Sequence, residues 1–484
     1  MPFWKRLNNP NSFAFWISLA IITRIVISLG LSWNHQNLQP DNEFVFDFVF
    51  EHPDYGYFLY PVEQYFTEGM ITYDGKTAFA GRMPGYSFPY LMLRHLFERD
   101  AALLVLIMFQ ILFAAVSVYL LAKIAWERFK SKASFYLVFC IALLVPHIAV
   151  FDYQTITESW SVSSFIAQLY FFHRYLLNRK NSDIFLSGFF LAWAVFLRPF
   201  LGVALALVGI ALLIDWRSKK ATFLNLLLFS LSFMVFELAW ITRNYVAKDQ
   251  LIVLNSGLAA YGKIYSPGYQ AIRKLMYRLG EETAYVDPGM AAWMRGKTEN
   301  FNSRRSYNEQ TIIKKSELLS MRETYLNSRD LEGSAFIAED SLIKEEAGLL
   351  LDKLKKEDRL TYFFSGPIYG LKKLWIHSGS PYMAFPPFSE MNLIQKSIKL
   401  LALISYYSII LGGLLTLILL SFNTTLKVYF VVFPLVLSLA LVLVSTIQEA
   451  RYLICAFPIY ILLIGALPLI VRNYRANKKL FVTL

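Results

Sequence analysis

Long apolar stretches, each close to 20 residues and almost free of charged side chains, recur along the chain. In helical form, a stretch of that length crosses the ~30 Å hydrocarbon core of a bilayer. The pattern therefore predicts about ten membrane-spanning helices, at residues 13–33, 101–124, 133–150, 157–176, 183–197, 200–214, 222–240, 398–421, 426–446 and 451–471. Arg198 and Pro199 either separate the short fifth and sixth spans or kink one long helix, and the count changes by one or two with that choice.

The distribution of lysine and arginine predicts which loops face the cytoplasm. Basic residues lie before the first span, after the second, fourth, sixth and tenth spans, and near the start of the ninth. Every second loop is therefore cytoplasmic. The outer face holds the loop at 147–156, which has no lysine or arginine, and two long loops at 34–100 and 241–397.

This topology divides the chain into three parts. Residues 1–240 form an N-terminal transmembrane region that includes the first outer loop, 34–100. Residues 241–397 form an outer-face domain, which we expect to be mainly helical because leucines recur with helical spacing around 349–360. Residues 398–484 form the C-terminal transmembrane helices and a basic cytoplasmic tail.

Composition supports an all-α polytopic membrane protein. The 484 residues are 56% hydrophobic and the mean hydropathy is +0.43, which is more apolar surface than a soluble protein of this size buries. The net charge of +12 fits basic cytoplasmic loops and anionic lipid better than nucleic acid. The two cysteines lie inside apolar runs and the six histidines show no metal-binding spacing.

Charged residues close to the outer ends of the spans are the candidates for chemistry, because charges at that depth are costly and usually functional. We single out three acids and four arginines: Asp54, Asp152, Glu158, Arg82, Arg198, Arg243 and Arg451. Each also has a simpler interpretation. An arginine can anchor its helix at the interface, a loop acid such as Asp152 is usually solvated, and a first-turn Glu158 fits a helix start capped by Thr155 or Thr157.

Two local details follow from spacing. Arg82 precedes Pro84-Gly85 and an amphipathic run, so it is expected at a helix start near the bilayer surface, where it suits a phosphate. Glu449 and Arg451 are two residues apart, on different sides of a helix, and are not expected to pair.

The order of these stretches resembles a known family. An Asp before a Tyr in the first outer loop is followed by R-x-P-G-Y at 82–86, T-E at 157–158, L-R-P at 197–199, W-x-x-R-N-Y at 240–245 and E-x-R-Y at 449–452. Over roughly residues 13–470, this order resembles the GT-C integral membrane glycosyltransferases, in particular the group of the protein O-mannosyltransferases and the lipid A aminoarabinose transferase.

The resemblance implies an inverting enzyme that moves one sugar from a polyprenyl-phosphate carrier to an acceptor on the outer face. It implies that an Asp of the first outer loop is the base, here Asp54, with Asp47 and Asp74 as alternatives. Arginines would bind the donor phosphate: Arg82, Arg243 and Arg451, with Arg198 in reserve. We expect four residues to support them: Tyr57, Asn244, Tyr245 and Glu449.

A metal is doubtful on the same comparison. The aminoarabinose branch has an acid before the basic residue of the first loop, and Gly81 stands there in this chain. No cofactor is required by the residues themselves. If a divalent cation binds, magnesium or manganese would suit an oxygen-rich site with Glu158 as its best ligand and Asp152 beside it.

Two other functions share some of these features. A flippase for lipid-linked sugars needs the arginines but not Asp54, and its ionisable groups usually lie at mid-membrane. An O-antigen ligase or polymerase has a large outer loop late in the chain but does not need the early loop. We therefore expect a transferase in a bacterial inner membrane, active on the periplasmic or extracellular face, with a protein, lipid A or glycan acceptor.

Overall fold

The structure is a computed structural model of the whole chain. It describes residues 9–39, 41, 43–73, 75, 78–215, 219–254, 266–281, 290–296, 298–299, 301, 303–308, 310–377, 383, 385–421, 432–443, 446, 449–475 and 482–483. Contacts between residues divide the chain into two compact units, each described by itself below. The first comprises Met1–Asn255, Ser378–Leu437 and Leu453–Leu484, and the second comprises Ser256–His377 and Ser438–Tyr452.

The prediction of an all-α polytopic membrane protein is confirmed. Within the described ranges, five helical segments are long and apolar enough to cross a bilayer: Phe13–Leu38, Arg99–Phe129, Lys220–Lys248, Leu393–Leu419 and Ala450–Arg475. Four shorter apolar helical segments accompany them: Lys132–Leu144, Asn181–Leu197, Pro199–Ile214 and Phe433–Leu443. The helix Glu158–Asn178 occupies the position of the predicted fourth span.

The helices of the first unit are named in chain order. They are α1 (Phe13–Leu38), α2 (Tyr55–Phe58), α3 (Tyr60–Glu68), α4 (Ser87–Arg94), α5 (Arg99–Phe129), α6 (Lys132–Leu144), α7 (Pro146–Ala149), α8 (Glu158–Asn178), α9 (Asn181–Leu197), α10 (Gly202–Ile214) and α11 (Lys219–Lys248). A short antiparallel hairpin, β1 (Phe44–Val45) and β2 (Val49–Phe50), precedes α2. A 3₁₀ turn at Pro199–Leu201 separates α9 from α10, so two helices and not one kinked helix occupy this part of the chain.

The second unit is also helical. It contains α12 (Pro267–Leu279), α13 (Met290–Met294), α14 (Lys315–Ser328), α15 (Gly333–Glu357) and α16 (Gly366–Trp375), with a π-helical turn at Thr361–Ser365 before α16. Its core is formed by buried apolar side chains of α12 to α15, among them Tyr269, Trp293, Met321 and Leu350. Ser266 caps α12 by accepting a hydrogen bond from the Tyr269 amide.

The C-terminal part contains α17 (Leu393–Leu419), α18 (Phe433–Leu443), a 3₁₀ segment at Ala450–Ala456, α19 (Phe457–Ile464) and α20 (Leu467–Arg475). Strands β3 (Leu420–Ser421) and β4 (Val482–Thr483) pair in parallel. Asn392 caps α17 in a reciprocal arrangement with Gln395. Gly413 of α17 allows close packing on α19, because a Cβ there would lie 2.7 Å from the ring of Tyr460.

The first outer loop packs on the beginning of α5. Buried side chains of the loop, including Phe58, Leu59, Tyr86 and Tyr90, share one core with Leu103, Leu106 and Ile107 of α5. Burial of side chains of this size stabilises the loop by ~1.5–3 kcal/mol each. The loop is therefore a folded layer on the helix bundle, and it can hold functional side chains in place.

Candidate active site

Asp54 lies in the turn that leads into α2. Its side chain is about one quarter exposed, and its backbone amide donates a hydrogen bond to Nδ1 of His52 over 3.0 Å. The Oδ2 atom of Asp54 is 3.9 Å from the same ring nitrogen. The residues on both sides of Asp54 line a cavity of about 570 Å³. The carboxylate is thus accessible and held at the edge of a space that a sugar can fill.

Aromatic side chains follow each other along one side of this region. Tyr57 stacks on Tyr73 with ring centroids 6.3 Å apart, and Tyr60 meets Tyr73 edge to face at 5.5 Å. Tyr73 in turn stacks on Phe79 at 6.1 Å. Tyr57 therefore takes part in an aromatic wall, whose apolar faces suit the C–H face of a sugar ring.

The loop that carries Asp54 is joined to the loop at 147–157 by backbone hydrogen bonds. The Phe50 amide donates to Tyr153 O and the Thr155 amide donates to Phe50 O, both over 3.0 Å. The Thr155 hydroxyl also accepts a hydrogen bond from the His52 amide over 3.2 Å. Two loops whose paired residues Phe50 and Thr155 are 105 positions apart in the chain therefore form one surface.

Arg82 lies over the end of α2, the short helix that follows Asp54. Its guanidinium carbon lies 5.0 Å from the ring centroid of Phe58, the last residue of α2. The expectation that Arg82 stands at a helix start is wrong, because α4 begins at Ser87 and Arg82 lies in the bend before it. The Pro-Gly pair delays the helix, and the bend brings Arg82 back over α2.

Gly85 packs the Arg82 loop against the end of α9. A Cβ on Gly85 would lie 2.7 Å from the backbone carbon and oxygen of Phe196 and 2.9 Å from the Leu197 nitrogen. Arg198 follows directly, at the C-terminal end of α9. The R-x-P-G-Y and L-R-P stretches, which are separate in sequence, therefore meet.

Arg198 and Glu158 form a buried ion pair. The Nε atom of Arg198 also donates to the Thr157 hydroxyl over 2.8 Å. Thr157 therefore does not cap α8 with its side chain, and Thr155 donates instead to Phe50 O over 3.3 Å. The expected threonine cap is wrong, because both hydroxyls are used by more distant partners.

Arg243 reaches the same loop as Arg82 from α11. One guanidinium nitrogen donates to Phe79 O over 2.6 Å and to Asn244 Oδ1 over 2.8 Å. Lys248, further along α11, donates to the neighbouring Ala78 O over 2.8 Å. Asn244 thus contacts Arg243, whereas Tyr245 is exposed and two residues beyond Arg243, on the other side of the helix.

Asp152 is fully buried, contrary to the expectation that a loop acid is solvated. Its carboxylate accepts hydrogen bonds from Arg24 over 2.9 Å and from the Ser159 hydroxyl over 2.6 Å. Arg24 was not among the predicted residues. The signal for it was present, since Arg24 is a single charge inside the first apolar run.

Glu449 and Arg451 belong to the second unit, where they form an ion pair of 2.7 Å between Nε and Oε2. The expectation that they do not pair is wrong. It assumed an α-helix through both residues, but Glu449 precedes a short 3₁₀ segment that begins at Ala450.

The remaining alternatives for the base are Asp47, which accepts a hydrogen bond from Gln36 over 3.1 Å, and Asp74, which lies outside the described residues.

A second carboxylate near the cavity was missed. Glu51 lines the cavity beside Asp54 and accepts a hydrogen bond from Arg99 over 2.5 Å. Burial raises the pKa of the Glu51 carboxyl above its ordinary value even though the guanidinium of Arg99 opposes the shift. Perturbed carboxyls in clefts are often functional, and the sequence alone did not distinguish Glu51 from the other acids of the loop.

The residues proposed to hold a metal do not fit one. Glu158 is paired with Arg198 and Asp152 with Arg24, so each carboxylate already faces a cation. Across the described ranges, no three histidine, cysteine or acidic side chains are grouped as metal ligands. The chemistry of this donor set is that of buried ion pairs.

The part of the chain from α4 to the larger part of α11, which includes Arg198, also matches a known family. Residues 88–240 match the dolichyl-phosphate-mannose-protein mannosyltransferase family. The match confirms the resemblance predicted from the motifs and indicates that the chain is a glycosyltransferase. No curated protein sequence matches the chain.

Solved structures of membrane enzymes are similar to the chain along most of its length. ArnT from Cupriavidus metallidurans in the apo state is 13% identical, with a TM-score of 0.39, and the alignment covers 94% of this chain and 76% of that one. The same protein bound to undecaprenyl phosphate is also 13% identical, with a TM-score of 0.36, and the alignment covers 96% of this chain and 79% of that one. The archaeal oligosaccharyltransferase AglB from Archaeoglobus fulgidus is 11% identical, with a TM-score of 0.42, and the alignment covers 96% of this chain and 52% of that one.

Proposed function

We propose that this glycosyltransferase moves a single sugar from a polyprenyl-phosphate donor to an acceptor on the outer face of the membrane, with inversion. The observation that carries the proposal is the accessible cavity lined by the residues on both sides of Asp54, in a loop that also contacts Arg82 at Phe58 and the loop at 147–157 at Phe50. A lipid-linked donor is supported by the name of the matching family, in which dolichyl phosphate carries the mannose.

Asp54 is the proposed base. In the transfer, the acceptor oxygen forms a bond to the anomeric carbon of the sugar as the bond between that carbon and the phosphate oxygen breaks. The acceptor proton goes to the Asp54 carboxylate, and the bonding electrons leave with the polyprenyl phosphate. Phosphate is a good leaving group, so a base and charge stabilisation are sufficient.

Arg82 is the first candidate for binding the leaving phosphate, because it lies over Phe58, the last residue of the short helix that follows Asp54. Arg243 is the second, since it contacts the same loop at Phe79. Arg198 is already paired with Glu158. Its proposed role is therefore to position the end of α9. Arg451 is proposed as a donor ligand on the resemblance alone.

The distribution of basic loops supports an outer-face position for the Asp54 turn. We propose a bacterial inner membrane with the site facing the periplasm or the exterior. The acceptors open to such a site are a protein hydroxyl, lipid A or a cell-surface glycan.

The Asp54→Asn variant tests the base. Purified full-length protein is incubated with polyprenyl-phosphate sugars and a membrane extract, and release of polyprenyl phosphate is measured. Removing a general base is expected to lower the rate by about 10²–10⁴-fold. Asp47→Asn is the matched control, because Asp47 lies in the same loop with a positive φ of 53° that asparagine tolerates.

The outcomes are distinct. Release that is lost in Asp54→Asn and kept in Asp47→Asn supports the proposal, and the reverse result moves the base to Asp47. Equal release by both variants points to Glu51 or Glu158. No release with any donor, combined with movement of lipid across vesicles, would support the flippase.

A further inference from the structure

A second cavity, of about 550 Å³, lies entirely within the second unit, and the proposed transfer does not use it. Three cationic side chains line it: Arg304, Arg305 and Lys372. Its other walls come from the end of α12, the π-helical turn and α16. Cations that converge on a concave surface raise the local concentration of anions.

The two arginines are held in place by a buried acid that bonds to their backbone. Glu281 is fully buried, and its carboxylate accepts hydrogen bonds from the Arg304 amide over 2.9 Å and from the Arg305 amide over 3.3 Å. The Tyr307 hydroxyl donates to the same carboxylate over 2.9 Å. The Glu281 carboxylate thus holds the backbone of both arginines and the hydroxyl of Tyr307.

Among the described residues, the side-chain hydrogen bonds and ring contacts of the two arginines are with uncharged groups, and Asp358 lies close enough to Arg305 for their charges to attract. Arg305 donates to the hydroxyls of Thr361 and Ser365 over 3.3 and 2.9 Å. Arg304 lies over the ring of Tyr369 at 3.7 Å and donates to Gly280 O over 3.1 Å. The nearby acid Asp358 accepts a hydrogen bond from the Thr361 amide. The cavity therefore keeps an excess of positive charge in a fixed arrangement.

One wall of the cavity is an exposed apolar ridge. Leu360, Phe364 and Ile368 line the cavity and are 73%, 56% and 63% exposed. They are spaced four residues apart, so they lie on the same face of the helical segment. A helix face that combines large apolar side chains with neighbouring cations is typical of a segment lying in a membrane interface.

The chain keeps this ridge within reach of a bilayer. Helix α16 ends at Trp375 and the membrane-spanning α17 begins at Leu393. Even a fully extended connection of that length spans only about 60 Å. A lipid surface is therefore an apolar phase that the ridge can reach.

We propose that this cavity binds the phosphate headgroup of an anionic bilayer phospholipid, with the cations on the phosphate and the ridge of Leu360, Phe364 and Ile368 against the acyl chains. The site goes beyond the proposed sugar transfer. It would dock the second unit on the lipid surface through a specific contact, and it does not require a donor sugar.

Photo-crosslinking tests the site in the full chain. The protein is reconstituted in nanodiscs of phosphatidylcholine that contain a small fraction of photoactivatable phosphatidylglycerol, without any donor, and the labelled peptides are mapped. Label is expected on peptides that contain 303–308 or 360–372. Arg305→Gln combined with Lys372→Gln is expected to weaken labelling there about 25-fold, or about fivefold per cation.

The matched control is Lys355→Gln combined with Lys356→Gln, which removes the same charge from the exposed end of α15. Phe364→Ser, compared with Leu349→Ser on α15, tests the ridge separately from the charge. Both control proteins are expected to label like the wild type.

Equal labelling of all variants, or equal labelling by photoactivatable phosphatidylcholine, would overturn the proposal. Protection by submillimolar inorganic phosphate would assign the cavity to a soluble anion instead. Protection by polyprenyl phosphate at concentrations below those of phosphatidylglycerol would assign it to the donor. A failure of the transfer assay leaves all of these readings unaffected, because no donor sugar is present.

Discussion

Arg24 of α1 and Asp152 of the loop before α8 form a fully buried ion pair, with Nη1 and Oδ2 2.9 Å apart across 128 residues of sequence. Arg24 also donates to Ala142 O over 2.8 Å, and Ser159 donates to the other Asp152 oxygen. One guanidinium therefore ties α1, α6 and the loop that carries the Thr157-Glu158 helix start.

The Arg24→Met variant should be strongly destabilised, because Asp152 then becomes an uncompensated buried charge. Loss of one partner of such a pair typically costs ~3–5 kcal/mol of the free energy of unfolding. The double variant Arg24→Met with Asp152→Asn should recover much of that loss. Denaturation in a detergent titration measures the free energy of unfolding of the wild type, the single variant and the double variant.

Lys353→Met is the control for that experiment. Lys353 and Glu317 also lie 3.0 Å apart, but both side chains are about one third exposed, so the cost should stay below ~1 kcal/mol. The double variant of Arg24 and Asp152 could also prove no more stable than Arg24→Met alone. That result would show that the loss of stability comes from poor packing of the methionine and not from the buried charge of Asp152.

The Gly85→Ala variant should disturb the site through packing. Its Cβ would meet the backbone of Phe196 and Leu197, which cannot rotate away. We expect a loss of ~1–3 kcal/mol and a lower transfer rate, because the loop that carries Arg82 must shift. Thermal melting and the polyprenyl-phosphate release assay report the two effects.

Gly30→Ala serves as the comparison, since nothing lies within 4 Å of a Cβ at that position of α1. It should stabilise the helix by ~0.5–1 kcal/mol and leave transfer unchanged. Full activity in Gly85→Ala would mean that the position of the Arg82 loop does not matter for the reaction.

Arg243→Gln and Lys248→Gln separate donor binding from loop anchoring. Both residues donate to adjacent carbonyls of the same loop, Phe79 O and Ala78 O. If Arg243 also binds the donor phosphate, its variant should lose about 10²-fold in kcat/KM, while Lys248→Gln should lose about fivefold or less. Steady-state kinetics over a range of donor concentrations distinguishes them, and equal losses would leave Arg243 as an anchor only.

Glu51 should make stability depend on pH. Because burial raises its pKa in the folded state above the ordinary value of 4.5, the folded protein binds this proton more tightly than the unfolded chain does. Stability from this group is therefore present below pH 4.5 and is lost as pH rises through the raised pKa. The Glu51→Gln variant should gain Tm relative to wild type over that window.

Melting of both proteins between pH 4 and pH 8 measures the difference, with Asp100→Asn as control for the other acid that contacts Arg99. If the Tm of the wild type instead rises relative to that of Glu51→Gln as the pH rises, the stabilising effect of the ion pair with Arg99 is larger than the cost of burying the Glu51 charge.

The sequence by itself determined the class of the protein, and it predicts the positions of the spans and the orientation of the loops. These depend on the length of apolar runs and on where lysine and arginine lie, and both are local properties of the chain. The sequence also identified Asp54, Arg82 and Arg243 as candidate functional residues, because charged residues are rare near the ends of spans.

Only the tertiary structure decided which charges are partners. Arg24 with Asp152, and Arg198 with Glu158, are joined by helices that pack together from distant parts of the chain, and periodicity carries no information on such contacts. The threonine cap was wrong for the same reason, whereas the helix start at Arg82 was wrong because the Pro84-Gly85 pair delays α4 to Ser87. A hydroxyl or a guanidinium binds the best partner in space, and local sequence rules count only the neighbours along the chain.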